Sequence, residues 1–104
     1  MSQFVAYANA DQASRKVIPC WLNVQSDLID TAGSRVVVPL IKLELVEVAI
    51  RQLMPELVVS GTRMLMDTAQ ITNVPLRMLG KPMDDLSAQR SAIIGAIDML
   101  THGI

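Results

Sequence analysis

A mainly β domain closed by one terminal helix is the fold class this sequence predicts, and three observations predict it. Gln3–Ala8, Val17–Val24 and Arg35–Ile41 are rich in β-branched or aromatic residues and are separated by turn-forming stretches. Ser60-Gly61 divides two further apolar runs in the way a tight hairpin does. The last twenty residues, Asp85–Ile104, instead repeat their apolar positions every three to four residues. Strands first and one helix last describe a small barrel or curled sheet with the helix packed on it. Residues 1–104 are expected to form a single domain.

In the first strand, Gln3-Phe4-Val5-Ala6-Tyr7-Ala8, polar and apolar residues alternate. Asn9–Lys16 is polar and is expected to be an exposed, mobile loop. Pro19 cannot donate to a ladder, which puts its part of the second strand at an edge or a bulge. Gln25–Gly33 is a turn-rich connection holding two apolar side chains, Leu28 and Ile29, in a polar frame. The third strand, Arg35–Ile41, is nearly continuous in Val, Leu and Ile, as a strand buried on both faces would be. Leu43–Met54 fits a helix period about as well as broken strands, so periodicity leaves both open. Leu57–Val59 and Thr62–Met66 flank the hairpin turn, and Thr68–Leu76 reads as a turn and a last short strand before Gly80-Lys81-Pro82.

On the terminal helix, Leu86, Ile93, Ile97 and Leu100 form the stripe expected to bury. Ala88, Ala92 and Met99 make a second apolar strip beside it. The opposite ridge, Ser91, Gly95, Asp98 and His102, is small or polar. Asp84, Asp85 or Ser87 can cap the N-terminus, and Gly103 can close the C-terminus in a left-handed conformation. Two apolar strips and a ridge almost free of charge suit a helix that meets something beyond its own core.

Composition narrows the function. Hydrophobic residues make up 51% of the 104 residues, with three aromatics and seven Met, so the core must be aliphatic. That surplus favours a homo-oligomer. No uninterrupted apolar run reaches the roughly 18 residues of a membrane span. Met1-Ser2-Gln3-Phe4 lacks the basic start of a signal peptide, and the single Cys20 allows no internal disulfide, which together suit the cytoplasm. Nine Lys and Arg against ten Asp and Glu give a net charge of −1, so direct nucleic-acid binding is not expected.

The chemistry of catalysis is missing. His102 is the sole histidine, which leaves no Ser–His or Cys–His dyad except at the penultimate dipeptide. No Asp/Glu cluster has metal-ligand spacing, and the five glycines are scattered, so no metal or cofactor is expected. Cys20, beside Trp21 in an apolar strand, reads as a core residue rather than a nucleophile. Met64-Leu65-Met66 reads as core or interface filler. A binding protein, not an enzyme, is the expectation.

Asn23-Val24-Gln25-Ser26-Asp27-Leu28-Ile29-Asp30-Thr31-Ala32-Gly33, with Arg35–Leu40, resembles the characteristic stretch of the CcdB toxins. Ile97–Ile104, ending in Gly-Ile, resembles the same family's C-terminus. Phe4–Tyr7, Leu53-Met54-Pro55, Val74-Pro75 and Asp85-Leu86-Ser87 fall in register, so the resemblance spans essentially the whole chain. It implies a small SH3-like antiparallel barrel with a second small sheet and a C-terminal helix, assembled as a homodimer. It also implies a gyrase poison that binds the DNA gyrase A subunit and traps it on cleaved DNA. A cognate CcdA-like antitoxin would neutralise the toxin and share in transcriptional autoregulation. The gyrase-binding residues carried over by the resemblance are Leu28, Ile29, Asp98, Thr101, His102, Gly103 and Ile104. A loop at Asn9–Lys16 is implicated in holding the antitoxin.

The chain departs from that pattern where the family's plasmid member has Asn, Phe and Trp at the positions of Asp98, Thr101 and His102. Asn23 and Ala32 likewise stand where that member has Asp and Pro. Two alternative functions accompany the resemblance. One is a ribonuclease toxin of the Kid/MazF type, which shares the barrel but needs a basic groove and an acid–base pair. The other is a degenerate toxin that only binds antitoxin.

Overall fold

A computed structural model of the chain describes residues 1–46, 49, 50 and 52–103. Among these, seven strands and one α-helix are formed: β1 (Val5–Asn9), β2 (Cys20–Asn23), β3 (Ser34–Lys42), β4 (Glu56–Val59), β5 (Thr62–Met66), β6 (Thr72–Pro75), β7 (Leu79–Asp85) and α1 (Arg90–His102). Every pairing is antiparallel, in the order β4-β5-β3-β2-β1-β7, and β6 pairs with β3 off that path. The mainly β domain with a C-terminal helix is therefore the observed architecture, a sheet curled into a half-barrel.

β3 is the spine. One of its edges pairs with β2 from Cys20↔Leu40 to Asn23↔Val37. Its other edge is shared, β6 taking Ser34–Val37 and β5 taking Leu40–Lys42. Pro39 falls in the gap between them, where its carbonyl accepts from the Asp67 N–H at 3.0 Å. In a strand the N–H and C=O of one residue point to the same edge, so the donor that proline lacks would have faced this gap. That is why a proline is tolerated inside a central strand.

Both faces of β2 and of the Val37–Ile41 part of β3 are buried, and the strand period of two sorts the side chains between them. Ala6, Cys20, Leu22, Val38 and Leu40 join Leu57, Met66, Leu86, Ile93 and Ala96 in the core under the helix. Tyr7, Trp21, Val37, Val74 and Leu79 make a smaller cluster on the opposite face. Val37, Val38 and Leu40 are all completely buried, as the two-sided pattern of the third strand requires.

Ser60 and Gly61 adopt φ of 47° and 83°, and with Val59 paired to Thr62 they form the two-residue turn expected there. Leu43–Leu45 is a single 3₁₀ turn, so the described part of the ambiguous middle is neither a regular helix nor a strand. β7 is the element the sequence hid. Gly80-Lys81-Pro82 reads as a break, yet the strand runs through it with two register shifts against β1. Pro82 is accommodated by this irregularity on an edge strand. A Cβ at Gly80 would lie 3.0 Å from the Ala8 carbonyl oxygen, so the close approach to β1 selects glycine.

The helix is tied to the barrel by Phe4. This residue takes a left-handed φ of 67°, donates its N–H to the Asn23 carbonyl at 2.7 Å and accepts from the Leu86 N–H at 2.8 Å. The Arg90 guanidinium stands 5.8 Å above its ring. Leu86, Ile93 and Ala96 carry the buried face, with Ile94 and Ile97 partly covered. Leu100, expected on that face, is exposed, because burial fades after Ala96 and Ile97 and the last turn projects past the core.

Candidate functional site

The stretch from Gln25 to Gly33 joins β2 to β3, and a series of local hydrogen bonds sets its path. Ser26 leads it, its Oγ accepting from the Leu28 N–H at 3.2 Å and its carbonyl from the Ile29 N–H at 3.0 Å. Asp30 Oδ1 accepts from the Ala32 N–H at 2.8 Å, and Ala32 and Gly33 follow with positive φ. The Gln3 N–H donates to Asp27 Oδ1 at 2.9 Å, which braces the loop from the N-terminal segment. Beneath the loop lie two buried amide side chains, Asn23 and Gln25.

This frame carries Leu28 with 93% of its surface exposed and Ile29 with 57%. At that exposure Leu28 takes no part in the core, and more than half of Ile29 faces solvent as well.

The second feature is the tail of α1. Ser91, Gly95, Asp98 and His102 are all exposed, so the small and polar ridge faces solvent as its spacing predicts. Gly103 closes the helix at φ 76°, its N–H donating to the Met99 carbonyl at 2.9 Å. The Thr101 hydroxyl bonds back to the Ile97 carbonyl at 3.0 Å and lies 2.9 Å from His102 Nδ1. Asp98 makes no salt bridge among the described residues. Ile104, the last of the carried-over residues, lies outside the described residues.

No hydrogen bond or ion pair among the described residues joins Leu28 or Ile29 to Asp98, Thr101, His102 or Gly103. Loop and tail are thus two separately built features. Beside the tail, Gln52, Pro55, Ala92, Gly95, Ala96 and Met99 line an open groove of about 320 Å³. Ala88 and Ala92 are exposed and Met99 is half-buried, so the second apolar strip is largely uncovered.

The loop Asn9–Lys16 is exposed along much of its length and held at its base by Asn9. Asn9 Nδ2 donates to Ser14 Oγ and to the Ile18 carbonyl, both at 2.9 Å, and the Arg15 Nε–H donates to the Asn9 carbonyl at 3.0 Å. Burial pushes the Cys20 thiol above its ordinary pKa, which keeps it protonated and weakly nucleophilic. Among the described residues no three His, Cys, Asp or Glu side chains are grouped as metal ligands, and no helix is long and apolar enough to cross a membrane.

The chain matches the family model described as CcdB protein over residues 3–103. It belongs to the CcdB family. CcdB proteins are toxins of toxin–antitoxin systems, so an antitoxin partner and gyrase as the general target come with membership. The loop and the helix tail are the two places where the described residues that the resemblance carries over, Leu28, Ile29, Asp98, Thr101, His102 and Gly103, stand exposed.

Asn23 and Gln25 are the contributors that residue type alone does not single out as structural. Amides in a polar loop look solvated. Only their position at the end of a strand buried on both faces hints that they turn inward.

Proposed function

We propose that this CcdB-family chain poisons DNA gyrase by binding its A subunit and holding the enzyme on cleaved DNA. It acts by binding and carries out no catalysis of its own. The observation that carries this reading is Leu28, 93% exposed on a loop fixed by its own hydrogen bonds. Apolar side chains held in solvent on a braced loop suit protein recognition, because little order remains to be imposed on binding. Asp98, Thr101, His102, Gly103 and Ile104 form the second contact, with Ile29 beside Leu28 in the first. The toxin works in the cytoplasm as a homodimer built on the Ala88, Ala92 and Met99 strip, and a CcdA-like antitoxin removes it from gyrase.

Titration calorimetry against a gyrase A-subunit fragment tests this. Saturable binding by the wild type, lost when Leu28 and Ile29 are both changed to Ala, is the expected result. Absence of binding, with the protein still captured by its antitoxin, would point to the degenerate toxin instead. That alternative is motivated by Thr101 and His102 standing where the family's plasmid member has aromatics. RNA cleavage in a parallel reaction would point to the ribonuclease.

A further inference from the structure

We propose that Gln25 is the positioning residue of the Leu28–Ile29 loop, its side-chain amide fixing the two exposed apolar side chains in the shape the protein partner receives. This rests on the reading of that loop as part of the gyrase-binding face.

Gln25 is only 7% exposed, and its amide reaches in two directions. Oε1 accepts from the Val36 N–H at 2.9 Å, and Nε2 donates to the Ile29 carbonyl at 2.7 Å. Val36 belongs to β3, the spine of the sheet. One side chain therefore connects the backbone of an exposed loop residue to the strand that three others pair with. The orientation of the amide is not free. A backbone N–H can be met only by the amide oxygen, so the NH₂ must face the Ile29 carbonyl.

Gln25 is itself fixed. Its backbone N–H donates to Asn23 Oδ1 at 3.1 Å, and Asn23 donates to the Ser2 carbonyl at 2.9 Å. Thr31 Oγ1 lies 3.2 Å from Gln25 Nε2, adding a second acceptor to the loop side of the amide.

The consequence for binding is pre-organisation. Ser26 holds the Leu28 and Ile29 N–H groups within the loop, and Gln25 adds the tie from the Ile29 carbonyl to β3; with that tie lost, more of the loop must be ordered when the partner arrives. The Oε1 end of Gln25 serves the sheet and also lies 3.3 Å from Thr31 Oγ1, whereas only the Nε2 end reaches the Ile29 carbonyl. A carboxylate separates the two roles. Gln25→Glu keeps an acceptor for Val36 but replaces the donor toward Ile29 with an oxygen that repels the carbonyl.

The test is a double-mutant cycle read by calorimetry against a gyrase A-subunit fragment. Gln25→Glu is expected to weaken binding about tenfold, the size of ordering one or two interface side chains. In the Leu28→Ala/Ile29→Ala background the same change is expected to cost less than about twofold, since the groups it positions are gone. Faster amide exchange at Leu28 and Ile29 in the free protein should accompany it. If the buried carboxylate prevents folding, Thr31→Val carries the test. It removes the exposed hydroxyl that accepts from Gln25 Nε2, together with that hydroxyl's donation to the Ser34 carbonyl, and should weaken binding about threefold with the same non-additivity. Wild-type affinity in Gln25→Glu or Thr31→Val, or an undiminished loss in the Leu28→Ala/Ile29→Ala background, would overturn the role of Gln25 alone. Wild-type affinity in Leu28→Ala/Ile29→Ala would overturn the loop as a binding face, and Gln25 with it.

Discussion

The side chain of Gln89 pairs with both backbone groups of Val58. Its Oε1 accepts from the Val58 N–H and its Nε2 donates to the Val58 carbonyl, each at 2.9 Å. β4 is the edge of the sheet, and Val58 is where its outward N–H and C=O would otherwise face solvent. The amide thus imitates one residue of a neighbouring strand. Two residues further on, the Ser60 N–H donates to Asp84 Oδ2 at 2.8 Å and the Ser60 hydroxyl to the Met83 carbonyl at 2.7 Å. The two edge strands, β4 and β7, are closed on each other by side chains in place of a backbone ladder. The edge is thereby blunted against pairing with other chains.

Loss of this pairing should be felt as stability. Gln89→Ala removes two hydrogen bonds worth roughly 0.5–1.5 kcal/mol each, toward the lower end because the site is exposed. A fall in Tm of about 4–8 °C is expected for each 1 kcal/mol lost in a domain of this size, and the freed edge should raise aggregation on heating. Thermal unfolding with light scattering checks both. An unchanged Tm would mean the pairing is decorative.

Two aspartates should move stability in opposite directions with pH. Burial pushes the Asp67 carboxyl above its usual range. The folded state therefore holds that proton more tightly than the unfolded chain, whose value is about 4. The charged form is a cost to folding above the raised folded value, and the cost disappears as pH falls through it. Asp67→Asn should raise Tm at pH 7 and lose that advantage in acid. Asp85 is lowered, first by the Ser87 hydroxyl and then by the Ser87 backbone N–H. Its contribution is present above about pH 4 and fades as pH falls through the lowered folded value, so Asp85→Asn should lower Tm at pH 7 and not in strong acid. Denaturation series at several pH values decide the signs. A parallel response of the two variants would contradict this assignment.

The uncovered strip beside the tail predicts self-association. Met99→Lys places an ammonium where the second copy should pack, and an unpaired buried charge is costly. Sedimentation should show a dimer for the wild type and a shift toward monomer for the variant, with the secondary structure unchanged. A wild-type monomer at the same loading would contradict it.

At the tip of the tail, His102→Trp should tighten binding to the gyrase A-subunit fragment by about tenfold, because aromatic anchors dominate many interfaces. The gain should come mainly from slower dissociation, which surface-binding kinetics would resolve. Equal rates for the two proteins would make His102 a bystander.

Much of this fold was legible in the sequence because the signals were local. The β-branched run of β3, the Ser60-Gly61 turn and Gly103 at the helix end each follow from the residue's own conformational preference. β7 was hidden because Gly80 and Pro82 are breakers in isolation, and only the bulged pairing with β1 shows why an edge strand accepts them. Leu100 was misplaced on the buried stripe because periodicity gives the face of a helix but not how far the core extends beneath it. The exposure of Leu28 and Ile29 could be suspected from their polar frame. That Gln25 and Asn23 turn inward to hold them could not, since this depends on contacts between the loop, β3 and the N-terminal segment.

Stalling of gyrase through the Leu28–Ile29 loop and the helix tail is the action proposed for this chain. The most direct measurement is the yield of linear, protein-linked plasmid DNA when purified gyrase and ATP are mixed with the wild type or with Leu28→Ala/Ile29→Ala. Cleaved DNA should accumulate with the wild type and stay at background with the variant, while both proteins melt within a few degrees of each other. Background levels with a correctly folded wild type, or full trapping by the variant, would contradict the account.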